Sequence, residues 1–181
     1  MKQSIEDIAP LWTPSDETIA NANITSYISW LTARGIEVSN YDELWRWSVD
    51  HIEDFWESLW DYFELTYSKK WSAVLTERKM PGAEWFPGVR LNYAENIFAR
   101  RDDSKPMLLF KGENTELQEV SWAEIEEQTR RLATTLNKLG VEEGDRVVAY
   151  LPNIPEAIVA LLAVSSIGAI WSSCPPDFGK S

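Results

Sequence analysis

Few places in this 181-residue chain carry side chains of the kind that do chemistry: a lone cysteine, a lone histidine, a Gly-Lys-Ser ending and several adjacent carboxylates. Cys174 is a nucleophile by type, but thiolate chemistry needs a base beside it, and His51 is the only imidazole in the sequence. The plainer readings are a small apolar residue at a strand end for Cys174 and a flanking position beside an apolar helix stripe for His51. One cysteine and one histidine do not make a zinc site of the usual four N/S ligands, and one cysteine closes no internal disulfide. Gly179, Lys180 and Ser181 imitate the end of a phosphate-binding loop, G-x-x-x-x-G-K-[ST]. The imitation fails, because Cys174 stands at the first glycine position and Pro175 and Pro176 have no N–H to offer a phosphate. The pairs Glu53-Asp54, Glu126-Glu127 and Glu142-Glu143 fall on polar helix faces or in a turn. With 29 acidic residues in the chain they read as solvated surface. The side chains alone therefore assign no catalytic residue and no metal site.

Composition narrows the partners. The hydrophobic fraction of 44% and charged fraction of 25% are those of a globular chain of one ordinary domain or two small ones. A net charge of −12 opposes broad contact with nucleic acid or anionic membranes. Glu6 and Asp7 interrupt the amino terminus where an export signal needs an apolar run, so the cytoplasm is the expected compartment. No charged residue lies between Glu156 and Asp177, and about 18 apolar residues are enough to span a bilayer. Ser165, Ser166 and Gly168 interrupt that stretch and Pro175-Pro176 closes it, which suits a helix followed by a buried strand rather than a membrane span.

The first hundred residues read as helical. Thr13 before Pro14 marks a start, Ile24, Tyr27, Ile28 and Leu31 share one face, and Gly35 is a stop. A second helical region runs from about Asn40 to Leu65, with Ile52, Phe55, Trp56, Leu59, Trp60 and Phe63 at helical spacing. Asp50 and Glu53 resemble a capping box, so a break near Val49 is expected. The tryptophans, ten in all, read as core or interface anchors. Asn92 with Glu95 caps a short helix to about Arg100. From Arg101 strands alternate with helices. Met107–Phe110 and Leu117–Val120 form a hairpin, and Ser121 with Glu124 caps a helix whose face is Trp122, Ile125, Thr129, Leu132, Ala133, Leu136 and Leu139, ending at Gly140. Arg146–Leu151 is a strand, Asn153 with Glu156 caps a helix to about Ile167, and Ala169–Cys174 is a second strand. Together they make a parallel βαβ unit. The fold class is α/β: a helical amino-terminal cap at 1–100, followed at 101–181 by an incomplete sheet region with a hairpin and a parallel βαβ unit.

Several strings resemble the acyl-adenylate-forming acyl-CoA synthetases and, within them, the acetoacetyl-CoA synthetases. Val120–Ile125 is similar to the [LV]-[TS]-[YW]-x-E-[LI] signature, Gly140–Val147 to the G-V-x-x-G-D-R-V turn, Leu151–Ala157 to L-P-N-x-P-E-A, and Gly168–Cys174 to G-A-I-W-S-S-C. Upstream, PLWTPS, DFWESLWDYF and WFPGVRLNYAENIF resemble the amino-terminal cap shared by acetyl-, propionyl- and acetoacetyl-CoA synthetases. The narrower likeness rests on PLWTPS and on W-S-S-C-x-P-D-F-G, where Pro175 stands at a position the family usually fills differently.

The resemblance implies a ligase that joins a carboxylate to AMP from Mg-ATP and then lets the CoA thiol displace AMP. Charge developing on phosphate calls for a Ser/Thr/Gly-rich loop and a lysine with metal, and neither the loop nor the adenylation lysine occurs in this sequence. The chain by itself is therefore expected to be inactive, an amino-terminal fragment that binds neither ATP, Mg nor CoA tightly. The resemblance leaves the carboxyl end of the last strand near the site where CoA enters, with Cys174, Pro176, Asp177, Phe178 and Gly179 as cofactor-binding residues. That placement suits the rule that open parallel sheets bind ligands beyond the carboxyl ends of their strands. Two alternatives stay open. The acid is acetate or propionate rather than acetoacetate, or the chain is a non-enzymatic module that self-associates through an open sheet edge.

Overall fold

A computed structural model describes residues 11–178. The chain divides into two compact units. The first holds the chain up to Leu65 together with Ala73–Pro87, and the second holds Thr66–Ser72 and the chain from Gly88 onward.

The first unit is helical: α1 (Asp16–Ala20), α2 (Asn23–Thr32), α3 (Tyr41–Asp50) and α4 (Ile52–Tyr62). Two local readings are corrected. The first cap is Ser15, not Thr13, because the Ser15 hydroxyl accepts from the Thr18 N–H at 3.2 Å. The break in the second helical region falls at His51 rather than near Val49. His51 ends α3 and begins α4 with φ −118° and ψ 54°, and no side-chain cap forms there, so Asp50 and Glu53 make no capping box. Asn40 caps α3, accepting from the Glu43 N–H at 3.0 Å, and Glu43 reaches back to the Ser39 N–H at 2.8 Å. Tyr27, Leu31, Val38 and Leu44 form the buried centre, with Trp30, Trp47, Phe55, Leu59 and Tyr62 packed on it. The Tyr27 hydroxyl lies 2.5 Å from Ser58 Oγ, giving the polar tip of this buried aromatic a partner.

The second unit is α/β: α5 (Tyr93–Phe98), β1 (Leu108–Phe110), β2 (Gln118–Val120), α6 (Trp122–Lys138), β3 (Arg146–Tyr150), α7 (Pro155–Ser166) and β4 (Ile170–Cys174). The strands β1 and β2 pair antiparallel, with Leu109 opposite Glu119. The strands β3 and β4 pair parallel across α7, with Val148 opposite Ser172 and Tyr150 opposite Cys174. The α/β class with an incomplete sheet, a hairpin and a parallel βαβ unit is the observed architecture.

Local chemistry explains the boundaries. Asn92 and Ser121 cap α5 and α6, accepting from the N–H groups of Glu95 and Glu124. Helix α6 stops at Gly140, whose φ of 88° a side chain would resist, while the Val141 N–H bonds back to the Leu136 carbonyl. Helix α7 starts differently from the sequence expectation. Ile154, not Asn153, occupies the cap with no side-chain bond, because Pro155 at the first helical position already fixes the backbone. Ile125 is fully buried and Thr129 nearly so, but Leu139 is exposed and drops out of the predicted apolar face. The uncharged stretch resolves into α7 and β4. Val159, Leu162, Ala163 and Val164 are buried because α5, α6 and β4 all pack on the helix. No helix among the described residues is long and apolar enough to cross a membrane.

Candidate functional site

A parallel strand pair delivers its carboxyl ends side by side, and here those ends are Tyr150 and Cys174. Beyond them the Leu151 N–H donates to the Cys174 carbonyl at 3.3 Å, extending the ladder by one bond. The chain then turns through Pro175–Phe178, closed by the Phe178 N–H to the Pro175 carbonyl at 3.2 Å. Leu151, Pro152, Asn153 and Ala157 at the start of α7, with Ser173 and Cys174, line a cavity of about 160 Å³. The crevice thus forms between the end of one parallel strand, the following helix start and the end of the next strand, as open parallel sheets dictate.

Four of the five expected residues meet at this place. Cys174 is an exposed free thiol at the end of β4, the strand-end position expected of it, but the strand itself is mostly exposed and not the buried one expected. Pro176, Asp177 and Phe178 stand exposed on the turn, and Gly179 lies outside the described residues, as do the Lys180-Ser181 ending and the amino-terminal stretch before Leu11. Sequence reasoning missed Tyr150. Its hydroxyl donates to the Pro176 carbonyl at 2.7 Å, and the available signal was an aromatic with a polar tip on the last position of a strand.

The other candidates fall elsewhere. His51 is exposed at the junction of α3 and α4, with Nδ1 3.6 Å from Asp54 Oδ2 in the helical unit. The carboxylate pairs are surface ion pairs. Glu126 meets Arg101 at 2.8 Å, Glu143 meets Arg90 at 3.2 Å, and Glu53 binds Arg78. Hydrogen bonds from Arg130 and then Arg131 hold the Glu127 carboxyl below its usual range. Two larger cavities, each about 340 Å³, lie in the helical unit and include none of the expected site residues. Among the described residues no group of three or more His, Cys, Asp or Glu comes together as metal ligands.

Known proteins place this geometry. Residues 96–181 match the family model described as AMP-binding enzyme, and residues 41–97 match acetyl-coenzyme A synthetase N-terminus. The acetoacetyl-coenzyme A synthetase of Rhizobium meliloti (strain 1021) is 37% identical over 172 residues, covering 94% of this chain and 26% of the relative. The acetoacetyl-CoA synthetase of Mus musculus is 42% identical over 151 residues, covering 82% of this chain and 22% of the relative. Among solved structures, the acetoacetyl-CoA synthetase from Streptomyces lividans superposes with a TM-score of 0.85 at 45% identity, over 95% of this chain and 27% of that one. The chain spans about a quarter of the length of the curated relatives it matches. Motifs, fold and both family matches agree: the chain belongs to the AMP-binding, acyl-adenylate-forming acyl-CoA synthetase family and resembles the acetoacetyl-CoA synthetases over their amino-terminal cap and the start of their AMP-binding region.

Proposed function

We propose that this chain is the amino-terminal part of a cytoplasmic acetoacetate–CoA ligase, with residues 1–100 as the cap and 101–181 as the start of the adenylate-forming domain. The observation that carries the reading is the 45% identity and TM-score of 0.85 to an acetoacetyl-CoA synthetase along almost the whole chain. A carboxylate is a poor electrophile, so the ligase first converts acetoacetate to an acyl adenylate with release of pyrophosphate. The CoA thiol then attacks the acyl carbon and AMP leaves. Mg²⁺ would supply charge neutralisation on the triphosphate in such chemistry, but the described residues gather no ligand set for it.

What these residues contribute is a platform. The β3–α7–β4 unit sets the Cys174–Phe178 loop at the carboxyl end of the parallel pair, and the rule that open parallel sheets bind ligands there supports reading that loop as the one that meets CoA. Silence of the 181-residue chain by itself is part of this proposal, because phosphoryl chemistry calls for a Ser/Thr/Gly-rich loop followed by a lysine. A thioester-formation assay on the purified chain with acetoacetate, Mg-ATP and CoA is expected to show no turnover, and clear turnover overturns the claim of silence. Reading the coding frame past Ser181 tests the ligase assignment. A continuation carrying the loop and the lysine, with a product that releases AMP when given acetoacetate and CoA, is expected. Preference for acetate or propionate would replace the acid and keep the family.

A second reading, self-association, is favoured by one observation. Val148 is 75% exposed, Tyr150 64% and Ile170 53%, so one face of the β3–β4 pair presents apolar surface to solvent. Light scattering is expected to show dimers or larger species at high concentration. A monomer that binds no hydrophobic dye removes this reading.

A further inference from the structure

We propose that Tyr150 is the positioning residue of the Pro175–Phe178 loop, a role that rests on the reading of that loop as ligand-facing. The turn has little else to locate it. Cys174, Pro176, Asp177 and Phe178 are exposed and Pro175 is only half-buried, so apolar burial does not choose its conformation. Pro175 and Pro176 lack N–H groups and donate no bond to the strands, which removes the usual way a loop is stitched to a sheet end. The Phe178–Pro175 bond closes the turn on itself without tying it to anything. Among the described residues, the only hydrogen bond reaching the turn from elsewhere in the chain is the one from Tyr150 Oη to the Pro176 carbonyl, at 2.7 Å and across 26 positions of sequence.

The register explains why this residue can act there. Tyr150 faces Cys174 as the last pair of the parallel ladder, so a side chain leaning along the strand direction arrives over the residues that follow Cys174. A shorter side chain ends before the turn, and Phe reaches it with no donor. The ring itself is largely exposed, so its packing does not account for the residue. The hydroxyl, on a strand whose other residues carry no polar tip of this length except Arg146 at its far end, has the turn as its partner. Fixing the Pro176 carbonyl also fixes the direction in which Asp177 and Phe178 leave the strand end.

The test is Tyr150→Phe in this chain, a change that keeps the ring. Hydrogen exchange is read by mass spectrometry over residues 171–178, and CoA affinity is followed by titration with CoA alone. Loss of one neutral hydrogen bond is expected to raise exchange at Asp177 and Phe178 by about two- to tenfold and to weaken CoA by a similar factor. Exchange in α6 and the thermal midpoint are expected to stay as in the parent. Unchanged loop exchange overturns the proposal, as does altered exchange with undiminished CoA affinity. If the parent chain shows no measurable CoA binding, as its weak expected affinity allows, the exchange measurement alone decides for or against Tyr150.

Discussion

The side-chain amide of Asn92 donates to the main-chain carbonyl of Ser165 at 3.0 Å, joining the residue that starts one helix to the last turn of another. The same Nδ2 lies 3.1 Å from the Ser166 carbonyl, while Oδ1 caps α5 through the Glu95 N–H at 3.1 Å. One side chain thereby satisfies an orphan donor of α5 and adds a donor to two carbonyls in the last turn of α7, of which that of Ser165 also accepts from the Gly168 N–H at 3.1 Å. Asn92 lies in the stretch matching the acetyl-coenzyme A synthetase N-terminus, and Ser165 in the stretch matching the AMP-binding enzyme. The packing unit therefore crosses the border between the two family matches.

Asn92→Ala is expected to destabilise the α/β unit by about 2 kcal/mol, combining a lost cap with the lost side-chain bonds to the last turn of α7. Asn92→Ser keeps a capping oxygen but is too short to reach α7, so it should recover about 1 kcal/mol of that loss. Urea unfolding of the three chains measures both steps. Equal stability of the Ser and Ala variants would show that the cap contributes nothing.

Thr129 Oγ1 is buried without a hydrogen-bond partner among the described residues, on the same face of α6 as the fully buried Ile125. Replacing the hydroxyl by a methyl in Thr129→Val removes a desolvated polar atom at nearly constant shape, and a gain of about 1 kcal/mol is expected. Ile125→Ala opens a cavity and should cost about 2–5 kcal/mol, whereas Leu139→Ala, on an exposed residue, should stay within about 0.5 kcal/mol. A thermal or chemical melt that ranks Leu139→Ala with Ile125→Ala would return Leu139 to the core.

Gly168 leads into β4 with φ at 75°, and a Cβ there would lie 3.0 Å from Glu143 Cγ. Its carbonyl also accepts from the Gly144 N–H at 3.0 Å. Gly168→Ala is expected to cost about 1–2 kcal/mol from the backbone alone, with a further increment for moving the Glu143 side chain. Gly140→Ala has open space around its Cβ and should show the backbone cost only. If Gly140→Ala proves the more harmful of the two in urea unfolding, the contact with Glu143 is not what constrains this turn.

Burial pushes the Tyr27 phenol above its ordinary value of 10.0, against the lowering effect of its bond to Ser58. The unfolded phenol releases its proton first as pH rises, so stability is full below about 10 and falls from there upward through the folded value. Tyr27→Phe should flatten this alkaline slope. At the other end of the scale, Glu127 is held below its ordinary value of 4.5 by Arg130 and Arg131, and its contribution is lost as pH falls from about 4.5 through the folded value. The carboxylate is exposed, so Glu127→Gln should reduce the acid slope only slightly and less so in high salt. Circular dichroism of urea titrations across the two pH ranges checks both signs.

Side-chain order along the chain was enough for the larger elements because short-range chemistry decides them. Asn40, Asn92 and Ser121 cap the helices that their types announce, since a capping oxygen needs only an N–H three residues on. Alternation and turn residues located the hairpin and the parallel pair, and the motif strings located the Cys174–Phe178 loop. The misplacements have local rivals that sequence weighs poorly. Ser15 took the cap from Thr13, two residues further along the chain, and Pro155 shaped the start of α7 without help from Asn153.

Other facts were settled only in three dimensions. That Asn92 serves α7 as well as α5, that Thr129 is buried without a partner among the described residues, and that Tyr150 reaches Pro176 all depend on pairs separated by many residues or on packing from several sides. Periodicity reports which face of an element is apolar, but not which distant backbone group will stand opposite a given polar tip. That choice belongs to register and helix packing, which the chain fixes only once its apolar faces have closed on one another.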